Sequence, residues 1–196
     1  ARPHRPPRGG FCVFRDQFTA GLRFPVHPFI ADVCNYFGVP LGSLVPNTFR
    51  LLCGVVVLFK IHNIPLRPEV FFYFYYPKQA EPGTFMFQAR PGLVFFNKLP
   101  TSNKHWKDYY FYLRMPSQPN FPTQWQVSLP PTPELKKFKT RPDYLHAANV
   151  LAGLRLDINK LLHEGVMYIF GLSPIRTPLP TGFGKNFALA LALIAN

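Results

Sequence analysis

The sequence is poor in acid, in sulfur and in long apolar runs. Only nine Asp and Glu stand among 196 residues. Phosphoryl-transfer chemistry on two metal ions needs carboxylates that converge. Asp108, Asp143, Asp157 and Glu164 are available, but Asp108 lies in a basic run, and Asp143 follows Pro142, where a place in a first helical turn explains it. The three cysteines, Cys12, Cys34 and Cys53, are odd in number and widely spaced, which excludes a disulfide scaffold and fits a reducing compartment. With His27 and His62 they are singletons, without the close pairs of a zinc site. No Gly-x-Ser-x-Gly elbow is present, and "TGFGKN" (Thr181–Asn186) lacks the first Gly and the hydroxyl residue of a phosphate loop. The most continuous apolar run, Cys53–Phe59, is far short of the ~20 residues of a membrane span. No apolar stretch follows the cations of "ARPHRPPRGG", so no signal peptide is read there. These absences leave no catalytic residue, metal or cofactor to assign, and the chain is expected to be non-enzymatic and intracellular, nuclear or cytoplasmic. It opens on Ala and closes inside the apolar pattern "FALALALIAN", so a longer parent protein is expected.

What the chain does have is proline, phenylalanine and positive charge. Its 23 prolines are more than twice the usual share of about 5%, and each fixes φ and removes a backbone donor. Short elements joined by irregular segments follow. The 21 Phe residues supply most of an aromatic content of 16%, enough to fill one substantial core. A formal charge of +13 favours a polyanionic partner, RNA or DNA or an anionic membrane surface, and no small-molecule substrate is indicated.

Periodicity divides the chain. Residues 1–24 read as a basic, Pro/Arg-rich arm, and 25–115 as a core of helices and a small sheet. Val26, Phe29, Ile30, Val33 and Phe37 follow one helical stripe that Gly38 ends. A second helix is predicted from Asn47, as its side-chain cap, to about Asn63, buried all round from Leu51 to Phe59. Within it, Gly54 would let a neighbouring element approach closely. "RPEVFFYFYYP" predicts a short helix after Pro68. Aromatic runs at Thr84–Ala89, Leu93–Asn97 and Trp106–Met115 then predict two or three antiparallel strands, the first two joined by a hairpin at Arg90-Pro91-Gly92. Residues 116–133 read as a Pro-rich linker or long surface loop. C-terminal helices are expected over 134–174, with Leu145, Ala148 and Leu151 on one buried stripe, and a tail over 175–196. The fold class is α+β.

"LPTSNKHWKDYYFYLRMP" (Leu99–Pro116) sets cations among aromatics. One reading makes Lys98, Lys104, Lys107 and Arg114 phosphate contacts, with Trp106, Tyr109 or Tyr110 as stacking surfaces for unpaired bases. Lys136, Lys137, Lys139 and Arg141 form a second basic group. The other reading is ordinary sheet construction, aromatics packing between helices and lysines capping the rim. The aromatics read first as structural, because Tyr and Phe fill the whole middle of the chain, while the lysines fit either reading.

Four blocks in order, "GLRFPVHPFIADVCNYFGVPLGSLVPNTFRLLCG", "FQARPG", "LPTSNKHWKDYYFYL" and "LLHEGVMYIFGLSP", resemble the gypsy-type transposon domain of plant transposable elements over residues 20–175. Phe24-Pro25-Val26-His27-Pro28-Phe29, Pro46-Asn47-Thr48 and Ser102-Asn103-Lys104-His105-Trp106-Lys107 stand where that family has its marks. His105, Thr48 and Gly165 depart from the commoner residues. The resemblance implies a gag-like or accessory segment of a retroelement and carries over no catalytic residues. The Cys-Cys-His-Cys knuckle of many retroelement nucleocapsids is absent from this sequence. The functional expectation is a gag-like module binding nucleic acid through sequence-independent phosphate contacts. A protein-interaction or self-assembly module, with no nucleic-acid role, is the alternative.

Overall fold

The apolar stretch after Val45 forms a sixteen-residue helix, Pro46–Ile61, in the computed structural model, which describes residues 3–100, 104–130 and 140–179. Every residue from Leu51 to Phe59 is buried, as a helix apolar on all sides requires. In chain order the elements are β1 (Phe11–Phe14), α1 (Arg15–Thr19), α2 (Pro28–Phe37), a 3-10 turn (Leu41–Ser43), α3 (Pro46–Ile61), α4 (Pro68–Phe74), β2 (Tyr75–Glu81), β3 (Thr84–Ala89), β4 (Phe96–Asn97), β5 (Tyr110–Leu113), α5 (Pro142–Leu151), β6 (Leu156–Asp157), α6 (Ile158–Leu161) and α7 (Glu164–Ile169). The class is α+β, with helices around small two-stranded sheets.

Helix α2 follows its sequence pattern. Phe29, Ile30, Val33 and Phe37 are buried along with Ala31 and Cys34, and Gly38 closes the helix in the left-handed region at φ 62°. Helix α3 begins one residue earlier than expected. Pro46 occupies its first turn and no side chain caps it, because the Asn47 amide donates instead to the Pro100 carbonyl while its oxygen accepts from Arg50.

Strand pairing differs from expectation more than strand position does. β3 pairs antiparallel with β2, not with the Leu93–Asn97 run. The turn through Pro82 and Gly83 (φ 78°) closes that hairpin first, and the aromatic run Phe71–Tyr76 turns from helix to strand at Tyr75. Arg90-Pro91-Gly92 does make a turn, with Leu93 N–H donating to Arg90, but it leads to β4, which runs parallel to β6. β5 pairs with β1 (Phe11 opposite Leu113, Phe14 opposite Tyr110). Residues 11–24 therefore contribute to the core instead of leaving it as an arm. All four residues of β1 are buried. Gln17, fully buried, receives the Phe14 N–H at 2.9 Å and donates to the carbonyls of Gly42 and Leu44 at 3.1 and 2.7 Å. That one amide ties β1 and α1 to the 3-10 turn with each bond satisfied.

The Pro-rich segment is strapped to the domain along its described part. Leu41 N–H donates to Pro122 at 3.1 Å, Gly83 N–H to Val127 at 2.8 Å, and the Asn35 amide to Asn120 at 2.7 Å, while Phe121 enters the core. In α5 the buried face is Tyr144, Ala147 and Leu151, and Leu145 is exposed. Tyr144 packs on Tyr73 at 5.6 Å between ring centres, which sets the helix one position away from the expected stripe. Close approach at Gly54 is as expected. A Cβ there would stand 2.5 Å from the Ile158 Cδ1 and 3.1 Å from the Phe96 ring, so α6 and β4 rest directly on α3. The readings of Ser102-Asn103, of residues 131–139 and of "TGFGKN" and "FALALALIAN" lie outside the described residues.

Candidate nucleic-acid interface

The β1–β5 ribbon gathers some of the expected site residues and leaves others elsewhere. Just before β5, Lys104, Trp106 and Lys107 fold over the start of α3 and the tip of the β2–β3 hairpin. They line a groove of about 480 Å³ with Asn47, Glu81 and Asp108. Lys104 is exposed. Lys107 pairs with Glu81 and lies 5.4 Å from the centre of the Trp106 ring. Trp106 is no open platform, because its ring meets Phe14 edge-on at 4.6 Å and is half-buried. Beyond the other end of β5, Arg114 donates to the Arg8 carbonyl at 2.7 Å. This contact lays the basic N-terminal stretch beside the strand.

Lys98 and Arg141 serve other elements. Lys98 pairs with Asp157 at 2.7 Å across the β4–β6 ladder, and its hydrogen bond is the largest influence holding that carboxyl below the usual range. Arg141 flanks the start of α5, 3.2 Å from Asp143, which also pairs with Arg67. Lys136, Lys137 and Lys139 lie outside the described residues.

Six of the eight acidic side chains among the described residues have a cationic or imidazole partner. Asp16 pairs with Arg15, Glu164 with Arg23, Asp143 with Arg67 and Arg141, Asp157 with Lys98, Glu81 with Lys107, and Asp108 with His105. Among the described residues, no three His, Cys, Asp or Glu side chains gather as a metal site. Each of the three thiols is buried, and burial pushes it up to about 12, where the thiolate nucleophile is scarcely populated. Among the described residues, no helix is long and apolar enough to cross a membrane.

Two ribbon features were not legible from local sequence. Strand alternation separates Tyr109 and Phe111 from Tyr110 and Tyr112, but which set faces out depends on what β1 covers. The outward pair is Tyr109, 58% exposed, and Phe111, 41% exposed. The second feature is Arg15, ninety residues and more away in sequence, whose guanidinium sits 4.2 Å from the centre of the Tyr109 ring.

No curated protein and no solved structure matches the chain. Residues 11–79, from β1 into β2, match the family described as "Putative gypsy type transposon".

Proposed function

We propose that this chain is a non-enzymatic, gag-like module of a plant retroelement that binds nucleic acid through sequence-independent phosphate contacts. The observation that supports this reading is the distribution of charge. At least five of the nine acidic residues are paired with Lys or Arg within the fold. They form no acidic patch among the described residues, so the +13 surplus sets the sign of the outer field. Polyanions are drawn to such a surface, and each phosphate neutralised releases a counterion. The acids are dispersed over separate cations, which favours binding over metal-assisted chemistry.

Titration of the chain against mixed-sequence RNA and DNA, followed by fluorescence anisotropy, tests the reading. Affinity should fall steeply between about 50 and 200 mM salt, by an amount that depends on the number of contacts and little on sequence. Absence of binding at the low end of that range would end the proposal. A second reading, self-assembly, is favoured by the exposed Tyr109 and Phe111 beside a strand that pairs, among the described residues, with β1 alone.

A further inference from the structure

We infer that the outer face of β5 is a stacking platform for single-stranded nucleic acid, with Tyr109 and Phe111 receiving unpaired bases and Arg8 and Arg114 meeting the adjoining phosphates. The inference rests on the phosphate-binding reading above and gives it a place and a strand preference.

The ribbon has one inner and one outer strand. β1 is buried along its whole length, while β5 is only half-buried or exposed. The Arg15 N–H donates to Tyr109 at 3.0 Å, so the ladder extends through Tyr109, and Tyr109 and Phe111 fall on the same face two residues apart. That spacing is about 6.7 Å along a strand. A base stack rises about 3.4 Å per nucleotide, so the two rings suit bases drawn apart on an extended strand. Bases inside a duplex present no open face, whereas single strands do.

Each ring is backed on one side. Arg15 stacks beside Tyr109, and Phe18 packs against Phe111 at 5.6 Å between ring centres. A backed ring holds its orientation and loses less freedom when a base arrives. Charge selects the occupant. Arg114 uses one guanidinium nitrogen on the Arg8 carbonyl, which leaves further N–H donors of its five for phosphate oxygens. Of the two acids next to Arg15 and Tyr109 in sequence, Asp16 is held by Arg15 at 3.1 Å, and Asp108 has the His105 ring at 3.4 Å. A polyanion with exposed bases meets both the rings and the cations, whereas a neutral or basic partner would leave the cations unmatched.

The test is anisotropy with a fluorescein-labelled mixed-sequence DNA strand of about 12 nucleotides, within the usual span of such sites, and with the duplex of the same sequence. Tyr109→Ala is a surface change and should weaken single-strand binding roughly five- to a hundredfold, with the salt slope and duplex affinity unchanged. Tyr109→Phe keeps the ring and should bind as the parent does. Arg8→Gln with Arg114→Gln should lower the salt slope. If Tyr109→Ala binds the single strand as tightly as the parent while the salt dependence persists, the platform is overturned and phosphate binding stands. If the parent binds neither probe, both fail. If light scattering shows self-association that Tyr109→Ala abolishes without changing single-strand affinity, the face joins two copies of the chain and the platform is overturned.

Discussion

His27 caps α2 with an unprotonated ring. Its Nδ1 accepts the Phe29 N–H at 3.2 Å, and burial, with the nearby Lys60 charge, lowers its pKa to about 4. An unfolded histidine titrates near 6.5. Between those values the unfolded chain binds the extra proton and the folded one does not, so this contribution is complete above about 6.5 and is lost as pH falls towards about 4. Denaturation midpoints measured over that interval should decline, and His27→Asn, which can cap without titrating, should flatten the decline. Equal slopes for parent and variant would refute the assignment. Glu164 behaves differently. Burial opposes its charge, yet the hydrogen bonds from Arg23 and Ser173 outweigh burial and keep its carboxyl below the ordinary range. Its contribution is present above an unfolded glutamate's value near 4.3 and disappears only at lower pH. Local sequence showed His27 as a singleton without a metal partner and the cysteines as small buried hydrophobes. It could not show Gln17, whose three bonds reach the Phe14 amide and two carbonyls twenty-five and more residues away.

At the level of elements, Gly42 and Gly54 both sit where backbone or side chains come close, and their neighbours decide what a methyl group would cost. At Gly54 the nearest atom to an added Cβ is the Ile158 Cδ1, the far end of a side chain that can rotate. Alanine also favours a helix interior by about 1 kcal/mol. Gly54→Ala should therefore change stability by no more than about 1 kcal/mol, whereas Gly54→Val, too large for the gap, should cost about 1–3 kcal/mol. At Gly42 the nearest atom is the Cys12 carbonyl oxygen at 2.0 Å, part of the β1 backbone that pairs with β5. Gly42→Ala should cost more than either change and loosen the ribbon, readable as lost amide protection at Val13 and Phe111. A Gly42→Ala protein with the parent's denaturation midpoint would contradict that packing. The same contrast explains what was legible in the sequence. Helices α2 and α3 carry their burial pattern within one segment, so periodicity located them. Sheet partners do not. β1 and β5 lie about a hundred residues apart, and β4 finds β6 across sixty, while the β2–β3 hairpin was hidden because its first strand continues directly from a helix. The candidate interface was half legible for that reason. The run Trp106–Arg114 was visible, and Trp106, which fitted a stacking or a structural reading, packs on Phe14, but the rings that face out were decided by a distant strand.

Over the whole molecule, the part that matches the transposon family is not a self-sufficient unit. Residues 11–79 include β1 without β5 and the first part of β2 without β3. They also include α3 without Phe96 and Ile158, which lie against Gly54. The C-terminal helices add polar ties: Arg23 pairs with Glu164 at 2.9 Å, and Lys60 donates to the Phe170 carbonyl at 3.1 Å. Phe85, Phe87, Phe95, Ile158, Val166, Met167 and Phe170 are buried in the same core as α3. Leaving them out would bare several large apolar side chains, each worth about 1.5–3 kcal/mol when buried, against a total stability of only about 5–15 kcal/mol for a domain. A fragment of residues 11–79 should therefore lack a cooperative thermal transition and bind a hydrophobic dye, while residues 11–179 should unfold in one step. Arg23→Ala in the longer protein should cost about 1–3 kcal/mol, since Glu164 then keeps a half-buried charge with one fewer partner. A short fragment that melts sharply and excludes the dye would show that the matched segment folds alone, and the C-terminal helices would then be an accessory layer with no part in completing the core.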